Sequence, residues 1–216
     1  MPLRLPADSR LRDATRLSRE FYNRDPVTVA RELLGKLIVR REGRRLLAGR
    51  IVEDEAYLGA EDPAAHAYAG RTPRNAVLFG PPGHAYVYFI YGNHYCLNVS
   101  CMPEGHAGCV LLRAIEPVAG IEEMAEERGL ELHSLTRPSH LRLISSGPGR
   151  MSQALGITRE RDNGKDLTSP RSDLWFADDG YRPEKIVVTP RVGIREAVEE
   201  PLRFFLSDNP YVSARR

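Results

Sequence analysis

The sequence predicts an α+β fold: a single compact mixed domain with a largely antiparallel curved sheet, peripheral helices and a protruding β-hairpin. Three observations carry this. Strand-like runs flank a hairpin turn at Glu42-Gly43; an aromatic run from Ala85 to Tyr91 turns at Gly92-Asn93 and returns as a second hairpin; and the helical signals are short. A chain of 216 residues can bury one sizeable core, so a single domain over residues 16–216 is expected. Residues 1–15 lack a periodic apolar pattern and are expected to form a mobile basic tail.

Asp25-Pro26 opens the first helix, with Asp as N-cap and Pro at the first helical position, and Gly35 ends it after Leu33-Leu34. Lys36 to Arg40 follows as a strand, with its return from about Leu46 to Tyr57. Alternate residues of a strand share a face, so Glu53, Glu55 and Tyr57 point one way and Val52, Asp54 and Ala56 the other. Residues 59–83 are rich in Gly and Pro, which predicts a long ordered loop with one short helix near Asn75 to Phe79. After the aromatic hairpin, whose second strand is Tyr95 to Ser100, come a strand from Cys109 to Ile115 and a helix from Ile121 to Arg128 with an acidic wet face. Ser146-Gly147-Pro148-Gly149 introduces a helix through Leu155, closed by Gly156. Strands are expected at Ile186 to Thr189 and Leu202 to Leu206.

Composition excludes several classes. With 42% hydrophobic and 28% charged residues the chain has the balance of a soluble globular protein. No apolar run approaches the ~20 residues of a membrane span, and the Arg-rich start has no apolar signal-peptide core. The expected location is therefore the cytoplasm with the nucleoid, or the nucleus in a eukaryote. Cys96, Cys101 and Cys109 form no CxxC motif, so reduced structural thiols are expected and no metal site. Residues 1–50 hold 13 Lys and Arg against 6 Asp and Glu, a surplus that suits phosphate contacts or a solvated face equally.

Four constellations could carry chemistry. Glu53 and Glu55 lie side by side on one strand face, either as an exposed acidic edge or as a general base with an electrostatic partner. Tyr86 and Tyr88 share a face of the aromatic strand, and Tyr91 adjoins the turn; such residues pack a core, or at a hairpin tip act as a wedge between base steps. Arg113 stands inside an apolar strand and must be paired, with a structural carboxylate or with an active-site one. Ser146 to Gly149 caps a helix whose free N–H groups could also hold a phosphate. His66 and His84 have no ligand spacing.

Six blocks then carry a specific resemblance: Arg50-Ile-Val-Glu-Asp-Glu-Ala-Tyr-Leu-Gly59, Thr72-Pro-Arg-Asn75, Ala85-Tyr-Val-Tyr-Phe-Ile-Tyr-Gly92, Val110-Leu-Leu-Arg-Ala-Ile-Glu-Pro117, Ser146-Gly-Pro-Gly149 and Pro201-Leu-Arg-Phe-Phe205. In this order and spacing they resemble the alkyladenine (3-methyladenine) DNA glycosylase family, typified by the vertebrate alkyl-purine glycosylase. The likeness runs from about Asp25 to Ser213.

The resemblance implies a monofunctional glycosylase of base excision repair, a monomer acting on double-stranded DNA that contains damaged purines, with no cofactor, metal or membrane. By position, Glu55 resembles the general base that activates water, and Arg113 and the backbone carbonyl of Val192 its partners in holding that water. Tyr57, His66 and Tyr88 resemble the walls of the base pocket, and Tyr91 the intercalating residue. Asn98 resembles the residue whose side chain clashes with the exocyclic amino group of guanine. Glu53 is expected to be structural. Ala65 and Ala69 stand where bacterial relatives often carry Ser and Arg, and Asn93 replaces an apolar residue, departures that bear on substrate range and wedge strength. Two other classes compete. A non-catalytic damaged-DNA-binding module would keep the wedge without needing Glu55, and a metal hydrolase built on Glu53, Glu55 and His66 lacks its ligand motif.

Overall fold

The description that follows rests on a computed structural model, which describes residues 11, 13–90, 92–131, 133, 135 and 138–213. The sheet grows from the two hairpins that the turn chemistry predicts. Strand β2 (Leu37–Glu42) returns as the long β3 (Arg45–Tyr57), with Gly43 in the left-handed conformation at φ 60°. Strand β4 (Ala85–Ile90) returns as β5 (His94–Cys101). The sheet is completed by β1 (Thr15–Arg16), β6 (Gly108–Ala119), β7 (Leu174–Asp178), β8 (Ile186–Thr189) and β9 (Arg203–Leu206). Among the described residues nine strands form one sheet in the order β1-β7-β2-β3-β6-β5-β4, with β9 pairing β3 and β8. Every pairing is antiparallel, so the α+β class holds.

Strand β3 is the trunk. Its first half pairs β2, and its second half pairs β9 while β6 runs along the other side. Three irregularities interrupt the β3–β6 ladder, one at Ala48–Gly49 and two beside the site. Ile51 pairs Ile115 and Glu53 pairs Ala114, which leaves Val52 extra; Asp54 then pairs Leu112, which leaves Arg113 extra. Such bulges twist the sheet and re-aim the side chain that is left over.

Among the described residues six α-helices flank the sheet: α1 (Arg19–Tyr22), α2 (Pro26–Leu33), α3 (Ile121–Glu127), α4 (Pro138–Ser145), α5 (Pro148–Ala154) and α6 (Arg159–Asp162). Asp25 caps α2 as expected, its carboxylate accepting the Thr28 N–H at 2.9 Å. Helix α5 docks on β5 so closely that a Cβ at Gly149 would lie 2.8 Å from the His94 ring. No sequence pattern singled out β1, α1, α4, α6 or β7. Strand β7 shows the expected alternation, with Leu174 and Phe176 in the core, but is only five residues long. Of the expected tail, residues 1–10 and 12 lie outside the described residues; Leu11 and Ala14 pack against the Leu37 cluster, and Thr15 pairs Asp178.

Candidate active site

Strand register assembles one wall of the site. Cross-strand partners share a face, and the pairs Tyr86–Asn98, Tyr88–Cys96, Asn98–Leu111 and Tyr57–Cys109 put these side chains on one side of the sheet. The alternate residues Val87, Leu97, Val99, Val110 and Leu112 fill the main core on the other. The first set lines a cavity of about 490 Å3 together with His66, Arg74, Arg113 and the loop from Val192 to Glu196. That volume suits a small organic ligand held mainly by aromatic walls.

Glu55 lies directly behind this lining, with no exposed surface. Its Oε1 forms an ion pair with Arg113 Nη1 at 3.0 Å and accepts from the Val192 N–H at 2.8 Å, and its Oε2 accepts from the Tyr57 hydroxyl at 3.0 Å. Burial pushes the Glu55 carboxyl above the usual carboxylate range, although Arg113, the Val192 N–H and Tyr57 pull it back. A carboxyl raised in this way binds a proton more tightly than a solvent-exposed one. Val192 meets the carboxylate through its N–H, whereas the resemblance implies a role for its carbonyl, toward the water. The neighbouring Arg191 grips Asp62 with both terminal nitrogens, at 2.5 and 2.9 Å, and its guanidinium stands 4.6 Å from the Tyr57 ring centre. It is this pair that brings the Val192 loop to β3.

The aromatic wall is a stack with one polar edge. His66 and Tyr88 meet edge to face at 4.5 Å, and His66 Nδ1 lies 2.8 Å from the Tyr86 hydroxyl. Burial, with Arg74 nearby, lowers the His66 pKa, so the ring is neutral at pH 7. Asn98 is buried, its Nδ2 donating to the Tyr86 carbonyl at 3.1 Å, which fixes the amide against the cavity floor. Burial pushes Cys96 up to about 11 and Cys109 to about 12, so neither is a thiolate at neutral pH.

The structure therefore brings together Glu55, Arg113, Val192, Tyr57, His66, Tyr88 and Asn98. Tyr91 lies outside the described residues. Tyr86 is a pocket residue that the alternation signalled, since it shares the Tyr88 face. The Asp62–Arg191 pair spans 129 residues and left no local mark in the sequence.

Residues 20–210 match the family described as methylpurine-DNA glycosylase. A relative from Koribacter versatilis is 62% identical over 200 residues, covering 93% of this chain and 94% of its own. Relatives from Methanoculleus marisnigri, 50% identical over 201 residues, and Desulfitobacterium hafniense, 46% identical over 204, cover 90% and 93% of this chain and 97% and 99% of their own. All three carry the name of 3-methyladenine DNA glycosylases. By sequence, and with a site whose geometry accords with it, the chain belongs to the methylpurine-DNA glycosylase family.

Proposed function

We propose that this protein is a monofunctional DNA glycosylase that flips alkylated or deaminated purines out of double-stranded DNA and hydrolyses their N-glycosidic bond. The range proposed is 3-methyladenine, 7-methylguanine, hypoxanthine and ethenoadenine. The observation that carries it is Glu55, a fully buried carboxylate held by the Arg113 ion pair and two hydrogen bonds behind an aromatic cavity of about 490 Å3.

A duplex hides the glycosidic carbon, so extrusion must come first, at a cost of a few kcal/mol that is least for damaged pairs. Tyr57, His66 and Tyr88 then flank the base, Asn98 excludes the guanine amino group, and Tyr91 fills the gap in the stack. Water between Glu55, Arg113 and the Val192 backbone attacks C1′ while the C1′–N9 bond breaks and its electron pair leaves with the base. The water proton passes to Glu55, whose charge also stabilises the oxocarbenium-like sugar. A cationic alkylpurine departs as a neutral base and needs no acid; hypoxanthine must first be protonated. A module that only bound DNA through its hairpin would gain nothing from burying this carboxylate, which costs several kcal/mol.

Glu55→Gln should lose at least ~100-fold in base release while still binding duplex that carries an abasic-site analogue. Release of hypoxanthine or 7-methylguanine at the wild-type rate by this variant would overturn the proposal.

A further inference from the structure

Behind Glu55 lies a second buried carboxylate that the reaction above does not use. Glu53 is fully buried, and its Oε1 accepts from Arg113 Nε at 2.7 Å, Arg203 Nε at 2.8 Å and Ser213 Oγ at 2.7 Å. Its Oε2 accepts the Ser213 N–H at 2.6 Å. Ser213 also accepts from Arg113 Nη2 at 3.4 Å through its hydroxyl. The bulge that leaves Arg113 unpaired aims it between the two glutamates. A segment 160 residues away thus closes over the underside of the site.

We propose that Glu53, with Ser213 as its clamp, is a positioning residue for base release: it fixes the Arg113 guanidinium by Nε and withholds part of its charge from Glu55. The inference rests on Glu55 being the base. Glu55 reaches Arg113 only through Nη1, at 3.0 Å, while Glu53 holds Nε at 2.7 Å and the Ser213 hydroxyl holds Nη2 at 3.4 Å. Two carboxylates and the two guanidinium groups of Arg113 and Arg203 balance to zero when both acids are ionised. When Glu55 takes the water proton, the cluster becomes cationic, and the Glu53 charge stabilises that state. Glu53 therefore makes its neighbour a stronger base than Arg113 alone would allow.

The other groups around Glu55 are Tyr57 on its own strand, Arg203 opposite it on β9, Arg191 beside the Val192 N–H, Cys96 from β5 and Asp54 on the far face of β3. None of these both touches Arg113 and carries a negative charge, as Glu53 does. Burial raises the Glu53 carboxyl, but Arg113 and Arg203 outweigh it and hold it ionised.

The test is the pH profile of single-turnover release of 7-methylguanine by the full chain. This base is already cationic, so the acid limb of the profile belongs to Glu55. Glu53→Gln should lower the rate at pH 7.5 by about 10-fold and move the acid limb to lower pH, because Glu55 then faces two cations alone. Ser213→Ala should move both in the same directions, with a rate loss of about 3-fold. Melting temperature and abasic-DNA binding report whether each variant is folded. A folded Glu53→Gln with an unmoved limb overturns the proposal whatever its rate, since lost activity alone would mark structural damage. If that variant does not fold, Ser213→Ala decides, and a wild-type limb and rate there overturn it. Absence of 7-methylguanine release by the wild type, or full activity in Glu55→Gln, would instead refute the glycosylase reading itself.

Discussion

Glu53, Asp54 and Glu55 are consecutive carboxylates on one strand, all without exposed surface, and the two faces of β3 treat them in opposite ways. On the site face Glu53 and Glu55 take hydrogen bonds from Arg113, Arg203, Ser213, Val192 and Tyr57. On the core face Asp54 stands in register with Leu112 and Phe204, and neither of its oxygens has a hydrogen-bond partner among the described residues. Burial, and then the charges of Glu53 and Glu55, push the Asp54 carboxyl well above the usual range. The same residue chemistry at the same depth thus meets converging donors on one face and none on the other, and the acid without donors is pushed up furthest. Burial sets the cost; partners decide the protonation state.

The largest effect should come from removing the shared cation. Arg113→Met leaves Glu53 with Arg203 and Ser213, and Glu55 with the Val192 N–H and Tyr57 only. Breaking a buried pair in this way costs about 3–5 kcal/mol, readable by denaturant unfolding. A loss below about 1 kcal/mol, the scale of a surface ion pair, would show that the pairing does not offset the burial of the two acids, and the comparison between the faces would fail.

A smaller and sharper effect is expected of Tyr57→Phe, which keeps the ring against Arg191 and deletes the hydroxyl that donates to Glu55 Oε2 at 3.0 Å. A hydrogen bond to a charged group contributes about 1.5–3 kcal/mol. Because the hydroxyl favours the ionised acid, its loss raises the Glu55 carboxyl further. The acid limb of 7-methylguanine release should move to higher pH, opposite to the shift expected of Glu53→Gln. A limb that stays in place would mean that Tyr57 only packs.

How much of this was legible in the sequence follows from the range of each contact. Alternation along β3 placed Glu53, Glu55 and Tyr57 together and Asp54 apart, and the apolar surroundings of Arg113 required a partner for it. Neither the bulge that aims Arg113 nor the arrival of Ser213 beside Glu53 leaves a local pattern, since both depend on how distant strands register. Val192 was placed only by family resemblance, because nothing in Arg191-Val192-Gly193 marks a loop that Asp62 will anchor. The roles given to Glu55, Asn98 and His66 likewise came from matched positions; periodicity supplied only the face that Glu55 shares with Glu53 and Tyr57, and His66 lies in a loop that it does not reach.

The smallest expected effect lies on the core face and separates desolvation from protonation. Asp54→Val removes two unpartnered oxygens from an apolar site and should stabilise the fold by about 1–2 kcal/mol at pH 7. Asp54→Asn keeps the shape and an unpartnered polar group but cannot ionise, so any gain it shows comes from the proton alone. The native carboxyl holds its proton to a higher pH than the unfolded chain does. Unfolding above about pH 4 therefore releases a proton, and wild-type stability falls as pH rises toward the native value. The advantage of Asp54→Asn should be near zero at pH 4 and grow steadily through neutrality, as read from urea unfolding at a series of pH values. An advantage independent of pH would mean that Asp54 is ionised in the native core, paired with a group that offsets its charge, and the contrast between the two faces of β3 would disappear.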